Sequence, residues 1–302
     1  MTVPFIDLRR FEPDLLERWA VLCREISAHT QFVGGPRVAA LEARMSELTG
    51  GHVVGCANGT DALQLALRAA GVGRGDRVVI PDATFWATYE AVVNVGADVI
   101  TVDVDPDDLQ MDLELCREAI EKHQPKAVIL VHLYGWGSAR LDAFRELCRE
   151  RGVTLIEDGA QAWGSTWRDD SVYRDAELAT ISFYPAKVLG ACGDAGAVVC
   201  RDEDMARTVR QLGNHGRTQH YEHGLIGWNS RMDGFSAAWL DLALDYLDER
   251  LASRRHAATS DRGRLGALGV TVAPVPEGWR DSGSLAVVRF APADRPPGES
   301  VR

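Results

Sequence analysis

Lys187 stands in Ile181-Ser182-Phe183-Tyr184-Pro185-Ala186-Lys187-Val188-Leu189-Gly190, just past an apolar run and beside a glycine. A lysine released from a strand end and lowered in pKa by burial presents a free amine able to form a Schiff base. Asp158 closes Leu155-Ile156-Glu157-Asp158 ahead of Gly159-Ala160-Gln161, at the C-terminal end of a strand, where open α/β sheets place their ligands. A carboxylate held against a pyridine nitrogen keeps it protonated, so that the ring accepts electrons from an adjacent carbanion. Cys56-Ala57-Asn58-Gly59-Thr60-Asp61-Ala62 runs from a strand through a glycine turn into a helix, and its first N–H groups, with a hydroxyl beside them, form a phosphate cradle. Each stretch alone also reads as ordinary structure: a solvated lysine, an acid capping the next turn, a helix capped by Thr60 or Asp61. Together they supply the covalent, electronic and binding needs of pyridoxal 5′-phosphate (PLP).

Apolar runs and amphipathic stretches alternate along the chain in the manner of a sheet with helices on both faces. The periodicity predicts strands over 53–57, 77–80, 98–102, 127–131, 153–157, 179–184 and 197–200. Helices are predicted over 61–70, 84–95, 114–122 and 139–151. The fold class is α/β, with a mostly parallel central sheet. After Asp233 one long helical pattern passes Trp239 and Leu247 to about Arg255, and the alternation then stops. A strand over 284–290 and a polar tail from Ala291, with the composition of a disordered end, complete the chain. We expect a large domain over 1–240 and a small one over 241–302.

The 302 residues are 46% hydrophobic, and 33 basic against 44 acidic side chains give a net charge of −11. That field repels nucleic acid and anionic membrane surfaces, so neither is an expected partner, and an anionic substrate needs locally placed arginines. The six cysteines form no C-x-x-C pair and read as reduced thiols. No run reaches the roughly 18 apolar residues of a membrane helix, and Met1-Thr2-Val3-Pro4-Phe5 lacks a leader pattern; a cytoplasmic protein is expected. His215, His220 and His223 are spaced by five and three residues, which fits neither an i, i+4 helical pair nor a zinc finger. We expect no metal site there.

At these residues the chain resembles the DegT/StrS family of PLP-dependent sugar aminotransferases, of the aspartate-aminotransferase fold (fold type I). The blocks that carry the resemblance begin at Phe5-Ile6-Asp7-Leu8 and Gly34-Gly35-Pro36. Ala57-Asn58-Gly59-Thr60-Asp61, Thr84-Phe85-Trp86 and Val131-His132-Leu133-Tyr134-Gly135 follow. Glu157-Asp158-Gly159-Ala160-Gln161, Ser182-Phe183-Tyr184-Pro185 with Lys187, Asn214-His215-Gly216 and Gly227-Trp228-Asn229-Ser230-Arg231 come next in the family's order, to about Arg255.

The resemblance implies that Lys187 carries the cofactor, that Asp158 faces the pyridine nitrogen and that Gln161 contacts the ring hydroxyl side. It implies Phe85 as the stacking aromatic and Gly59, Thr60 and Ser182 as the phosphate cradle. Asn229 would reach the phosphate of a neighbouring subunit's cofactor, and Arg231, Tyr184 and His215 would face substrate. Without the family, Phe85 or Trp86 reads equally as a core aromatic, and Asn229 with Arg231 as a surface loop. The implied activity is transfer of an amino group, from glutamate, to a keto sugar, nucleotide-linked, or to a keto-cyclitol, in a homodimer with shared active sites. Two departures stand out. Val188 follows the lysine where the family has Asn, and the family's C-terminal domain is longer, so an incomplete small domain is expected. The alternative is a noncatalytic subunit that binds PLP and pairs with an active homologue.

Overall fold

The computed structural model describes residues 7–9 and 11–289. Two helices, α1 (Leu15–Ala28) and α2 (Gly35–Thr49), lead into an alternation of β1 (His52–Cys56), α3 (Gly59–Ala69), β2 (Arg77–Pro81), α4 (Trp86–Asn94), β3 (Asp98–Val102), α5 (Leu113–His123), β4 (Ala127–Val131), α6 (Leu141–Arg151) and β5 (Thr154–Asp158). The short strands β6 (Thr166–Trp167) and β7 (Asp170–Ser171) precede β8 (Leu178–Ser182), β9 (Gly196–Cys200) and α7 (Glu203–Gly213). The seven-stranded sheet has the order β1-β9-β8-β5-β4-β2-β3, parallel except that β9 runs against both of its neighbours. The expected α/β class and its mostly parallel sheet are present. β9 lies between β1 and β8, so the cradle strand and the lysine strand are not adjacent.

Period-two alternation sorts the sheet onto two cores. Ala127, Ile129 and Val131 of β4, with Ile156, Leu178, Val198 and Cys56, pack against α3, α4 and α7. Val128 and Leu130, with Leu155, Ala179, Ile181 and Val199, pack against α2, α5, α6 and the later helix α8 (Gly234–Leu244). Every residue of β4 is buried, as expected for a parallel strand covered on both faces. No described helix is long and apolar enough to cross a membrane.

Three readings are changed by the structure. The surface loop read around Asn229 and Arg231 carries, ahead of them, a small exposed hairpin, β10 (Arg217–Gln219) with β11 (Glu222–His223). The single helix expected after Asp233 is two, α8 and α9 (Leu247–Ala267), broken at Asp245 and Tyr246. Side-chain bonds pin the break to the N-terminal helices. Arg18 and Arg44 bind Asp245 at 2.7 and 2.9 Å, and the Tyr246 hydroxyl donates to Asp14 at 2.7 Å. The third concerns the end of the chain, where β12 (Thr271–Val272), β13 (Trp279–Arg280) and β14 (Val288–Arg289) are all short. The strand expected over 284–290 shrinks to β14, paired with β12; at its start the Ser284 hydroxyl is bonded to Gln161 of the sheet domain. Phe290, the tail from Ala291 and the Phe5-Ile6 block lie outside the described residues.

Candidate active site

Alternation decides which side of the sheet each strand-end group faces. Ile156 belongs to the α3/α4 core and Leu155 to the opposite one, so Asp158 falls on the α3/α4 side and Glu157 on the other. By the same parity Ser182 and Gly196, in register with each other, share the face of Asp158.

Asp158 is 5% exposed. Its Oδ1 accepts the Ala160 N–H at 3.0 Å, and its Oδ2 receives only a long bond from the Thr88 hydroxyl, 3.4 Å. The turn-capping reading and the chemical one therefore use different oxygens of one carboxylate. Burial pushes this carboxyl above its usual value, while the Ala160 N–H and the charge of Lys187 pull it back in part. Burial pushes the Lys187 ammonium down, and Asp158 opposes that shift. The two groups thus sense each other across the C-terminal end of the sheet, where a carboxylate without a nearby cation is disfavoured.

The lysine rides a tight loop. Its N–H donates to the Tyr184 carbonyl at 2.8 Å, and the Trp239 indole of α8 donates to the Gly190 carbonyl at 2.8 Å. A Cβ on Gly190 would lie 2.4 Å from the Pro185 carbonyl oxygen, so that turn closes only on glycine. Beyond it opens a cleft of about 870 Å³, bounded by Lys187, Phe11, Trp239, Glu249 and Arg254.

At the other end of the site, Asn58 caps α3, accepting the Asp61 N–H at 2.8 Å. The cap is therefore neither Thr60 nor Asp61, because the residue with extended backbone geometry is Asn58. Gly59 and Thr60 occupy the first helical positions, whose N–H groups have no intrahelical partner. A Cβ on Gly59 would stand 2.7 Å from that of Ser182, and one on Gly196 would stand 2.4 Å from the Asn58 carbonyl carbon. Two glycines thus let the helix start descend onto β8 and β9, bringing Gly59, Thr60 and Ser182 together. Phe85 caps α4 without a side-chain bond and is 72% exposed; three residues on, Thr88 reaches Asp158. Phe85 is not a core aromatic, and neither is Trp86, 65% exposed and stacked on Tyr89. Tyr184 is also exposed.

Asn229 and Arg231, both exposed, and the half-buried Asn214 form a rim past the β1 edge. Arg231 donates to the Asn214 and Asn229 side-chain oxygens at 2.9 and 2.5 Å, and Ser230 accepts the Ala57 N–H at 3.2 Å. His215 joins this rim through its N–H, bonded to the Trp228 carbonyl, and its carbonyl accepts from His223.

Sequence reasoning missed the buried cluster on the reverse face. Arg145 of α6 grips Glu157 with two bonds, 2.8 and 3.0 Å, and the His132 ring lies 3.1 Å from the same carboxylate. Burial alone would raise the Glu157 carboxyl, but the His132 bond and the Arg145 charge hold it below its usual range. His132 also donates its backbone N–H to the Asp158 carbonyl, 2.9 Å, so the cluster fixes the strand end that carries Asp158. The signal was present in the parity of Glu157 beside Asp158, but nothing in the spacing named Arg145.

The arrangement fits PLP. A glycine-cleared helix N-terminus suits a phosphate dianion, the weakly bonded Oδ2 of a buried carboxylate suits a ring N–H⁺, and an amine of lowered proton affinity lies within electrostatic reach.

A sequence model of the DegT/DnrJ/EryC1/StrS aminotransferase family matches residues 14–293. The UDP-2-acetamido-2-deoxy-3-oxo-D-glucuronate aminotransferase of Pseudomonas aeruginosa is 37% identical over 257 residues, covering 85% of this chain and 71% of that protein. The L-glutamine:2-deoxy-scyllo-inosose aminotransferase of Streptomyces fradiae is 37% identical over 239 residues, 75% of this chain and 56% of that one. Among solved structures, S. venezuelae DesV in complex with a ketimine intermediate superposes with a TM-score of 0.91 at 35% identity, over 97% of this chain and 79% of that one. A family match of this extent on so similar a fold settles membership: the chain belongs to the DegT/DnrJ/EryC1/StrS aminotransferases and is a PLP-dependent transaminase.

Proposed function

We propose that this chain takes an amino group from glutamate and places it on the keto carbon of a nucleotide-linked sugar or a keto-cyclitol, with Lys187 and Asp158 as its catalytic residues. The observation that carries the reading is a buried carboxylate, Asp158, with one weakly bonded oxygen, at the same end of the sheet as the glycine-closed loop that carries Lys187. When bound, PLP supplies an electron sink for a carbanion at the amino-bearing carbon. Lys187 would tether the cofactor and, as a free amine, would move the proton at the donor Cα. Asp158 would keep the ring nitrogen protonated, Phe85 would cover a ring face, Gln161 would meet the ring oxygen, and Gly59, Thr60 and Ser182 would hold the phosphate. Relatives named for a UDP-linked 3-oxo sugar acid and for an inosose support both acceptor classes. Residues 1–240 would form the cofactor-binding unit and 241–302 the unit that covers it. The six unpaired cysteines accord with a reducing cytoplasm. Nothing observed favours the noncatalytic alternative.

Adding glutamate alone to the PLP form should bleach its visible absorbance, and a keto sugar or keto-cyclitol should restore it. If glutamate leaves the band unchanged while another amino acid bleaches it, the donor is not glutamate.

The reading includes a homodimer with shared sites, Asn229 and Arg231 of one subunit reaching the other's cofactor and substrate, with Tyr184 and His215 near the same substrate. Support comes from the exposure of Asn229 and Arg231 on a braced rim, and from exposed Trp86 and Ile226, apolar surface of the kind interfaces cover. Mixing inactive Lys187→Ala with inactive Asn229→Ala chains should regenerate up to about a quarter of wild-type activity, since half of randomly exchanged dimers keep one intact site. If verified heterodimers stay inactive, Asn229 serves its own chain.

A further inference from the structure

The segment following β13 is built into the sheet domain with unusual closeness. A Cβ on Gly135, whose φ is +86°, would lie 2.3 Å from the Ser282 hydroxyl, and one on Gly283, φ +66°, would lie 2.7 Å from the Arg254 carbonyl carbon of α9. The strap 281–284 therefore lies against Gly135 on one side and the α9 backbone on the other, at distances that only glycine allows. It is held by bonds at residues 281, 282 and 284. Arg262 pairs with the Asp281 side chain, and Arg255 donates to the Asp281 and Gly164 carbonyls at 2.8 and 2.7 Å. The buried Ser282 donates its N–H to the Gly135 carbonyl at 3.2 Å and its hydroxyl to the Gln161 carbonyl at 3.0 Å. Ser284 then donates its hydroxyl to Oε1 of the Gln161 side chain at 3.1 Å.

A primary amide has a donating and an accepting end, and a flip exchanges them. With Oε1 met by Ser284, the end left over is the NH₂, a donor. We propose that Ser284 is a positioning residue that holds the Gln161 side chain by its Oε1, leaving the NH₂ to donate toward the cofactor's ring oxygen. This rests on the placement of Gln161 beside that oxygen. The ring oxygen is anionic in the bound cofactor, and an amide turned the other way would oppose one lone pair with another. Without a hydroxyl at 284, Oε1 is either left unpaired or swings toward the ring, and both outcomes weaken the donor.

A donor on the ring oxygen is worth more once the proton shared between that oxygen and the Lys187 nitrogen has left. It therefore lowers the pH at which the visible band titrates, and losing it raises that midpoint. The titratable groups at this end of the sheet are Asp158 and Lys187, which act on each other, with Tyr184 in the lysine loop; Glu157, paired with His132 and Arg145, lies on the reverse face, from which the His132 charge reaches Asp158. None is altered by a change at 284, so a difference between variants reports the hydrogen bond.

The test is a spectroscopic pH titration of the PLP-loaded protein in an isosteric pair, Ser284→Thr and Ser284→Val, which differ only in the hydroxyl, alongside Gln161→Ala. The valine variant should titrate about one pH unit higher than the threonine variant, which should match wild type. Adding Ser284→Val to Gln161→Ala should shift the midpoint no further. Equal midpoints for the threonine and valine variants, with Gln161→Ala still shifted, would overturn the role of Ser284 alone. An unshifted Gln161→Ala would remove Gln161 from the ring oxygen and overturn the inference together with that part of the site. A merely structural strap would change melting temperature without separating the threonine and valine midpoints.

Discussion

Replacing Lys187 with alanine should abolish turnover, by about 10⁴-fold or more, and should leave no chain to which borohydride can fix the cofactor. The estimate combines loss of the covalent tether with loss of a general acid–base group, the latter alone contributing about 10²–10⁴. Folding should survive. Burial already disfavours the charged form of this lysine, so deleting it removes a group whose depressed pKa weakens the folded state at neutral pH. The turn around it is held by Trp239 and by glycine geometry rather than by the amine. The chain makes the experiment decisive, because it has only two other lysines, Lys122 and Lys126. Lys126 immediately precedes β4 and donates to the Gly71 carbonyl at 2.6 Å, at the N-terminal edge of the sheet. A five-residue strand spans about 16 Å, and Lys122 lies further back, in the last turn of α5. Any reducible adduct remaining on the Lys187→Ala chain would therefore have to come from a lysine across the sheet, and would end the assignment.

The sheet was legible because its strands are short, apolar and punctuated by glycine or acid at their ends. The expected bounds at 98–102 and 127–131 coincide with β3 and β4, and most others err by one or two residues, the ordinary fraying of element ends. The site was legible for the same reason: strand-end residues in open α/β sheets face the ligand side, and parity from Ile156 puts Asp158 on the face where α3 begins. Other features resist such reading. The break between α8 and α9 depends on Asp245 and Tyr246 being pinned by Arg18, Arg44 and Asp14, contacts across some 200 positions of chain that no local period encodes. The strand expected over 284–290 shortens to β14, and at its start the Ser284 hydroxyl is bonded to Gln161, 123 positions away in the chain. The antiparallel insertion of β9 is likewise a property of the whole sheet; its local trace is Gly196, whose missing side chain admits Asn58.

Asp158→Asn should separate binding from chemistry. The cradle at Gly59, Thr60 and Ser182 and the tether at Lys187 are untouched, so the variant should retain PLP, with an amination rate lower by about 10²–10⁴. The substitution is nearly isosteric and keeps local bonds: Asn Oδ1 can still accept the Ala160 N–H, and Nδ2 can donate to the Thr88 hydroxyl now bonded to Oδ2. What changes is the group offered to the ring. A carboxylate favours a protonated pyridine nitrogen by charge, whereas an amide N–H is best met by the unprotonated lone pair, which withdraws the electron sink. A second readout needs no cofactor. Burial raises the carboxyl pKa in the folded chain, so above the unfolded value the ionised Asp158 costs stability, and the cost disappears as pH falls and the folded carboxyl takes up its proton. The cofactor-free Asn variant should thus melt higher than wild type near pH 8, with the gap closing toward pH 4. A cofactor-free wild type that is as stable as the variant at pH 8 would mean that Lys187 already neutralises the carboxylate. An unchanged rate with glutamate would leave Asp158 as the cap of the Gly159-Ala160 turn and nothing more.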